Sequence, residues 1–362
     1  MVDSGNVDWA GSRHGFALRS IRGRPGLLGA MPNSKLAGRV PPLPKMTDRT
    51  PIHAVGEHPE DQLRFLVEKA DAGVRCALVT IVGIVDTASR NLGTHMVVAE
   101  DGDYAGSVSS GCIDGSVADF ALQSIASGDR RRVQLGAGSN FIDLQLPCGG
   151  GVDLLIVPSP DTGVIRRVLA ELDERRSCAL LITPDSLEFL ESTEAAADEE
   201  CFIVRYRPKL RLILAGRGAE LTVFCRLVAS CGFSVTAYSP DEVDVESCRS
   251  FGAEAIHLAN TAVRPELTAD RWTAIVTLFH DHDWEPNILL AALASEAFYI
   301  GALGSRKTHA NRLETLGRLG VDDKAQARVT GPIGLVPSMR NATMLSISTL
   351  AEIVDRLNAS SG

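Results

Sequence analysis

Two cysteines stand in glycine-rich turns: Ser109-Ser110-Gly111-Cys112-Ile113-Asp114-Gly115 and Pro147-Cys148-Gly149-Gly150-Gly151. Glycine lets backbone turn tightly, take positive φ and approach a bound group closely. A thiol on such a turn is presented outward, whereas a structural cysteine usually sits on an apolar strand or helix. The repeated arrangement points to soft, sulfur-linked chemistry or to a bulky ligand. Cys112 also lies just ahead of a predicted helix, where the dipole favours a thiolate. Cys76, Cys178, Cys201, Cys225, Cys231 and Cys248 lie in apolar or helical contexts and read as ordinary thiols.

Three further clusters fall in the second half. Gly216-Arg217-Gly218 separates an apolar strand from an apolar helix, the opening of a dinucleotide-binding unit. The third glycine of that fingerprint is Leu221, and the second strand ends in Ser239-Pro240-Asp241, so the ribose-binding acid is displaced or missing. For Gly216 and Gly218, turn and packing roles therefore compete with phosphate contact. His280 and His282, in His280-Asp281-His282-Asp283, share a side of an extended segment and could pair on a transition metal. The competing reading is one ring orienting a loop and the other solvated. Gly304-Ser305-Arg306-Lys307-Thr308 combines a glycine, hydroxyls and two cations at a helix start, an anion cradle. The plainer alternative is a Ser305 helix cap beside solvated basic residues.

Periodicity supplies the elements that position these residues. In the first half it predicts helices over 61–72, 116–127 and 161–174. Strands are predicted over 76–84, 94–100, 131–135, 141–146 and 152–157. The second half alternates strand and helix from about residue 208: strands over 210–215, 233–238, 274–279 and 298–303, and a closing helix over 343–357. The fold class is α/β, an N-terminal mixed α+β domain followed by a C-terminal Rossmann-like doubly wound parallel sheet. The expected domains are a flexible or disordered leader over 1–50, a cysteine-turn domain over 51–160, a connecting region over 161–207 and the Rossmann-like domain over 208–362.

Composition narrows the function classes. With 45% hydrophobic and 22% charged residues the chain reads as soluble and globular. A net charge of −9 argues against nucleic acid as a partner. No apolar run is long enough for a membrane span. Eight cysteines without Cys-x-x-Cys pairs fit a reducing cytoplasm rather than a disulfide framework. The first 45 residues carry Arg13, Arg19, Arg22, Arg24, Lys35, Arg39 and Lys45 against Asp3 and Asp8. They read as a targeting segment, a disordered arm, or sequence upstream of a start at Met46.

Taken together, the motifs resemble the XdhC/CoxI family of accessory proteins for xanthine dehydrogenase and carbon monoxide dehydrogenase. Residues 109–115 match the family's Ser-Gly-Gly-Cys-Val-Glu-Gly with Ser110, Ile113 and Asp114 as near-substitutions, and residues 147–152 match its Pro-Cys-Gly-Gly. Residues 279–283 resemble Thr-His-Asp-His, residues 299–307 Tyr-Ile-Gly-Leu-Leu-Gly-Ser-Arg-Arg, and residues 331–335 match Gly-Pro-Ile-Gly-Leu. After Leu335 the family continues Asp-Ile-Gly-Ala, where this chain has Val336-Pro337-Ser338-Met339. The resemblance implies a chaperone without turnover of its own. It binds the molybdenum cofactor, as molybdopterin or its cytosine dinucleotide form, protects it while a sulfido ligand is installed, and delivers it to an apo molybdenum hydroxylase. It also implies a homodimer, with a cysteine desulfurase as a further candidate partner.

On that reading the cofactor contacts are Cys112, Cys148, Gly111, Gly149, Gly150, Gly216, Gly218, His280, His282, Gly304, Ser305 and Arg306, with Cys112 and Cys148 as the metal ligands because thiolates suit soft centres. A cleft between the halves is expected to bring the cysteine turns opposite the Rossmann loops. Two other readings compete: an NAD(P)-dependent oxidoreductase resting on Gly216 and Gly218, and a zinc protein using Cys112, Cys148, His280 and His282.

Overall fold

Leu63, Leu66 and Val67 recur at helical spacing and build helix α1 (Pro59–Asp71); the apolar run after it builds strand β1 (Cys76–Val85). The computed structural model describes residues 58–139, 149–183, 185–194, 201–281 and 283–359. The leader expected over 1–50 and the strand expected over 141–146 fall outside them. The first half continues with β2 (His95–Ala99), β3 (Tyr104–Gly106), α2 (Asp114–Ser127), β4 (Arg131–Gly136), β5 (Gly151–Pro158) and α3 (Thr162–Asp173). Among the described residues these strands form an antiparallel sheet in the order β3-β2-β1-β5-β4. Its central strand is buried on both faces. Cys76 and Leu78 join the core made with α1 and α3, while Ala77, Val79 and Ile81 join the core made with α2.

The stretch between the halves, where the sequence shows a couple of weak strands around an acidic patch, carries a small sheet. It holds β6 (Cys178–Ile182), β7 (Leu187–Leu190) and β8 (Phe202–Tyr206), paired antiparallel in the order β7-β6-β8. Leu180, Val204 and Tyr206 extend the core of α1 and α3. Strands this short leave a weak periodic signal, and burial against neighbours decides them.

The buried end of β2 carries a polar chain. His95 is 1% exposed and lies between Thr80 Oγ1 (3.0 Å) and Tyr206 Oη (2.6 Å). Burial pushes its pKa down to about 4, so the ring is neutral near pH 7. The unfolded chain binds the proton from about pH 6.5 downward and the folded chain only near 4. Stability present above pH 6.5 is therefore lost as pH falls toward 4, by roughly 3 kcal/mol for this group. Urea midpoints at pH 7.5 and 4.5 should fall more steeply for the wild type than for His95→Gln.

The second half is β9 (Arg211–Gly216), α4 (Gly218–Ser230), β10 (Ser234–Ser239), α5 (Glu242–Ser250), β11 (Glu254–His257), β12 (Thr273–Leu278), α6 (Glu285–Leu293), β13 (Tyr299–Ala302), α7 (Arg306–Arg318), α8 (Asp323–Gln326), β14 (Val329–Thr330) and α9 (Ala342–Ala359). All pairings in its sheet are parallel, in the order β11-β10-β9-β12-β13-β14. This is the doubly wound dinucleotide-binding order, with its reversal between β9 and β12. Leu212 and Leu214 pack with α4, α5 and α9 on one face; Ile213 and Ala215 pack with α6 and α7 on the other. The fold class read from the sequence is the one observed.

A polar staple joins the halves. Arg175 donates to Asp270 (2.7 and 3.2 Å) and to the Lys209 carbonyl (2.6 Å), and Lys209 pairs with Asp61. Burial raises the Asp270 carboxyl, but the Arg175 guanidinium, the Trp272 amide and the Thr273 hydroxyl outweigh it and hold the pKa down at about 2. The clasp thus stays ionised at all but strongly acid pH.

Candidate functional site

Asp114, the first residue of α2 and 5% exposed, organises the first cysteine turn. Its carboxylate accepts from the Val108 amide (3.1 Å), the Ser109 hydroxyl (2.7 Å) and the Gly111 amide (3.1 Å). Ser109 Oγ in turn accepts from the Ile113 amide (2.9 Å). Ser110 and Gly111 take φ of 56° and 99°, which turns the chain back on itself. Cys112 is left exposed at the crest of this knot. Asp114→Ala should lose about 2–3 kcal/mol, since the buried Val108 and Ser109 donors and the Gly111 amide lose their acceptor. Urea unfolding checks that, and a changed rate of Cys112 labelling by a thiol reagent reports loosening of the turn. Asp114→Glu keeps a carboxylate and should lose less.

Cys148, in the second turn, lies outside the described residues. Gly149 has φ +75° and open space around it. Gly150 is threaded against Thr87: a Cβ there would stand 1.7 Å from the Thr87 carbonyl oxygen. Its own carbonyl accepts from the Ala137 amide (2.9 Å). Gly150 is thus required by main-chain packing.

The glycine turn after β9 is also spoken for internally. A side chain on Gly216 would stand 2.6 Å from Leu278 Cβ on the neighbouring strand. The Gly218 amide, at φ +71°, donates to Asp244 Oδ2 at 2.6 Å. Asp244 is 8% exposed, and the Ser239 hydroxyl reaches the same oxygen at 3.4 Å. The acid missing from the end of β10 is therefore found five residues on, bound to the glycine turn. Leu221, in the third-glycine position, is fully buried in the core. The amide that a dinucleotide phosphate needs is occupied by a carboxylate, and the nicotinamide reading loses its seat.

Two loops leave the carboxyl ends of β12 and β13, and between them opens a cavity of about 730 Å³. His280 lines it, with its side chain 75% exposed and Nε2 3.5 Å from Glu220. Gly304, Ser305 and Arg306 form a second wall. Ser305 Oγ accepts from the Thr308 amide (3.1 Å), capping α7 as an N-cap serine does. Gly304 has φ +140°, and a Cβ there would meet Thr308 at 2.6 Å. Behind this loop, buried Arg312 donates to both oxygens of Glu285 (3.1 and 3.0 Å) and to the Leu303 carbonyl (2.6 Å).

The third wall, Pro332–Gly334 and Pro337–Arg340, hangs beyond β14. It is held from α9: the Gly334 amide donates to Glu352 Oε2 (2.6 Å), which also accepts from Tyr299 Oη (3.0 Å), and the Val336 amide donates to Ser348 Oγ (2.8 Å). Burial and the Glu352 charge push the Tyr299 phenol upward, so it stays protonated as the donor.

Of the residues chosen from sequence, His280, Gly304, Ser305 and Arg306 meet in this cavity. Among the described residues its lining comes from the second half; Gly111, Cys112, Gly149, Gly150, Gly216 and Gly218 are not in it. His282 lies outside the described residues. Among the described residues no group of three or more His, Cys, Asp and Glu is gathered as a metal set, and no helix is long and apolar enough to cross a membrane. Sequence reasoning missed Arg340 and Asp244; the acid displaced from Ser239 was the available signal for the latter.

The cavity falls within the range of small-molecule and cofactor sites. Phe279, Ile333, Met339 and Leu345 give it apolar surface, and Arg306 and Arg340 give it cations without a lining carboxylate. That chemistry fits a heterocycle bearing a phosphate, as a pterin cofactor does.

The family described as XdhC and CoxI family matches residues 70–136, and the XdhC Rossmann domain matches residues 212–353. The molybdenum cofactor insertion chaperone PaoD of Escherichia coli (strain K12) is 33% identical over 294 residues, which are 80% of this chain and 86% of that protein. The crystal structure of a xanthine dehydrogenase from Bacillus halodurans, at 20% identity, superposes with a TM-score of 0.68 over 82% of this chain and 96% of that one, and so shares the fold. With both halves matched in order and the relative covered nearly end to end, the chain belongs to the XdhC/CoxI family.

Proposed function

We propose that this protein is a molybdenum-cofactor insertion chaperone. It binds the cofactor as cargo, shields it while a terminal sulfido ligand is installed, and passes it to an apo molybdenum hydroxylase in the cytoplasm. The observation that carries this reading is the likeness to an insertion chaperone over 80% of the chain, joined to a cofactor-sized cavity walled by the family's own motifs. His280, Gly304, Ser305 and Arg306 hold the cargo. Cys112 is the thiol that meets its molybdenum end during loading or release, since a thiolate suits a soft metal. Gly111 keeps that turn open, and Cys148 is the second candidate thiol. The working unit is a homodimer, and a cysteine desulfurase is the sulfur donor that docks to it.

The test is purification from a host that makes the cofactor, with mass spectrometry of the released small molecules and activation of an apo-hydroxylase in vitro. Wild-type protein is expected to carry a pterin and to activate the client. Cys112→Ser should lower client activation at least tenfold while the fold is retained. Absence of both pterin and activation in the wild type would overturn the reading.

A further inference from the structure

The sheet offers two places where the phosphate end of a ligand could sit, and their charges differ. At Gly216–Gly218 the amide is bound to Asp244, and Glu220 stands in the first turn of α4. That helix end is already supplied with negative charge. At Gly304–Arg306 the first turn of α7 has no acid and begins Arg306-Lys307. Cations there oppose the helix dipole, an arrangement that an anion relieves. Arg340 lines the same cavity from the loop before α9. Among the described residues none of Arg306, Lys307 and Arg340 forms a side-chain ion pair. Among the described residues the cavity lining contains no Asp or Glu, in a chain of net charge −9.

We infer that Arg306 and Arg340 hold the phosphate or pyrophosphate end of the cargo, and that Asp244 shuts the ordinary dinucleotide seat at Gly218 against it. The apolar side, Ile333, Met339 and Leu345, then receives the ring system. This rests on the chaperone reading for the identity of the cargo, but the anion seat is testable without it. Arginine suits the task because its planar guanidinium engages phosphate oxygens in pairs.

Inorganic pyrophosphate, titrated calorimetrically at low salt, is the probe. Saturable binding is expected in the wild type, weakened about tenfold or more by Arg306→Met or by Arg340→Met. Both side chains are exposed and unpaired by acids, so urea midpoints should stay near wild type. Asp244→Asn should leave the affinity within about twofold. Absence of saturable binding in the wild type, or affinity that follows Asp244→Asn while ignoring both arginines, overturns the inference. Pyrophosphate binding through the arginines in a protein that never carries a pterin would leave the seat standing and remove the chaperone reading.

Discussion

Gly150→Ala should prevent the first half from folding normally, at a cost of at least about 3 kcal/mol. The added carbon would stand 1.7 Å from the Thr87 carbonyl oxygen and 2.7 Å from its carbon, both well inside van der Waals contact. Neither partner is a flexible side-chain end that could swing away. The main chain must part, and β5 is the strand that follows. It pairs with β1 from Gly151↔Val85 onward and with β4 through Gly136↔Gly151. A collapsed urea midpoint and rapid amide exchange in β5 are the expected readouts. Gly149→Ala next door is the control: its surroundings are open, and only its positive φ (+75°) is strained. That variant should lose about 1–2 kcal/mol and stay folded.

Arg312→Met should cost about 3–5 kcal/mol, because it leaves the Glu285 carboxylate buried without its partner. Both side chains of the pair are under 5% exposed. The guanidinium also holds the Leu303 carbonyl, so the same change frees the loop carrying Gly304 to Arg306. In the wild type, burial and the nearby Arg312 charge lower the pKa of His309, so Arg312 is the cation that serves Glu285. Denaturant unfolding measures the loss. Adding Glu285→Gln to Arg312→Met should recover part of it, since removing both charges costs less than stranding one. The pyrophosphate titration of the single variant should weaken as well, through loop position rather than direct contact.

Local pattern was enough for most of the architecture. The strand–Gly-x-Gly–helix run at residues 210–230 and the apolar strands over 274–279 and 298–303 specify a parallel sheet because buried parallel strands need unbroken apolar runs. The meeting of His280 with Gly304–Arg306 was legible for the same reason: loops leaving the carboxyl ends of neighbouring strands share one rim. What stayed hidden depends on long-range side chains. Nothing near Gly218 announces that Asp244 will take its amide 26 residues later. Nor does local pattern announce the clasp of Arg175 with Asp270, which joins the halves across 95 residues. In the stretch of β6, β7 and β8 the sequence shows only a couple of weak strands, because these are four or five residues long and owe their burial to α1 and α3.

The third wall of the cavity is suspended by its own amides. Gly334 and Val336 give their N–H groups to Glu352 and Ser348, while the side chains of Leu335 and Val336 stay exposed. A lineage can therefore rewrite those side chains without disturbing the clamps or the interior beneath. The Val336-Pro337-Ser338-Met339 stretch, which departs from the family pattern, starts at such an exposed position and runs into the cavity wall, so rewriting it reshapes the lip over which cargo passes.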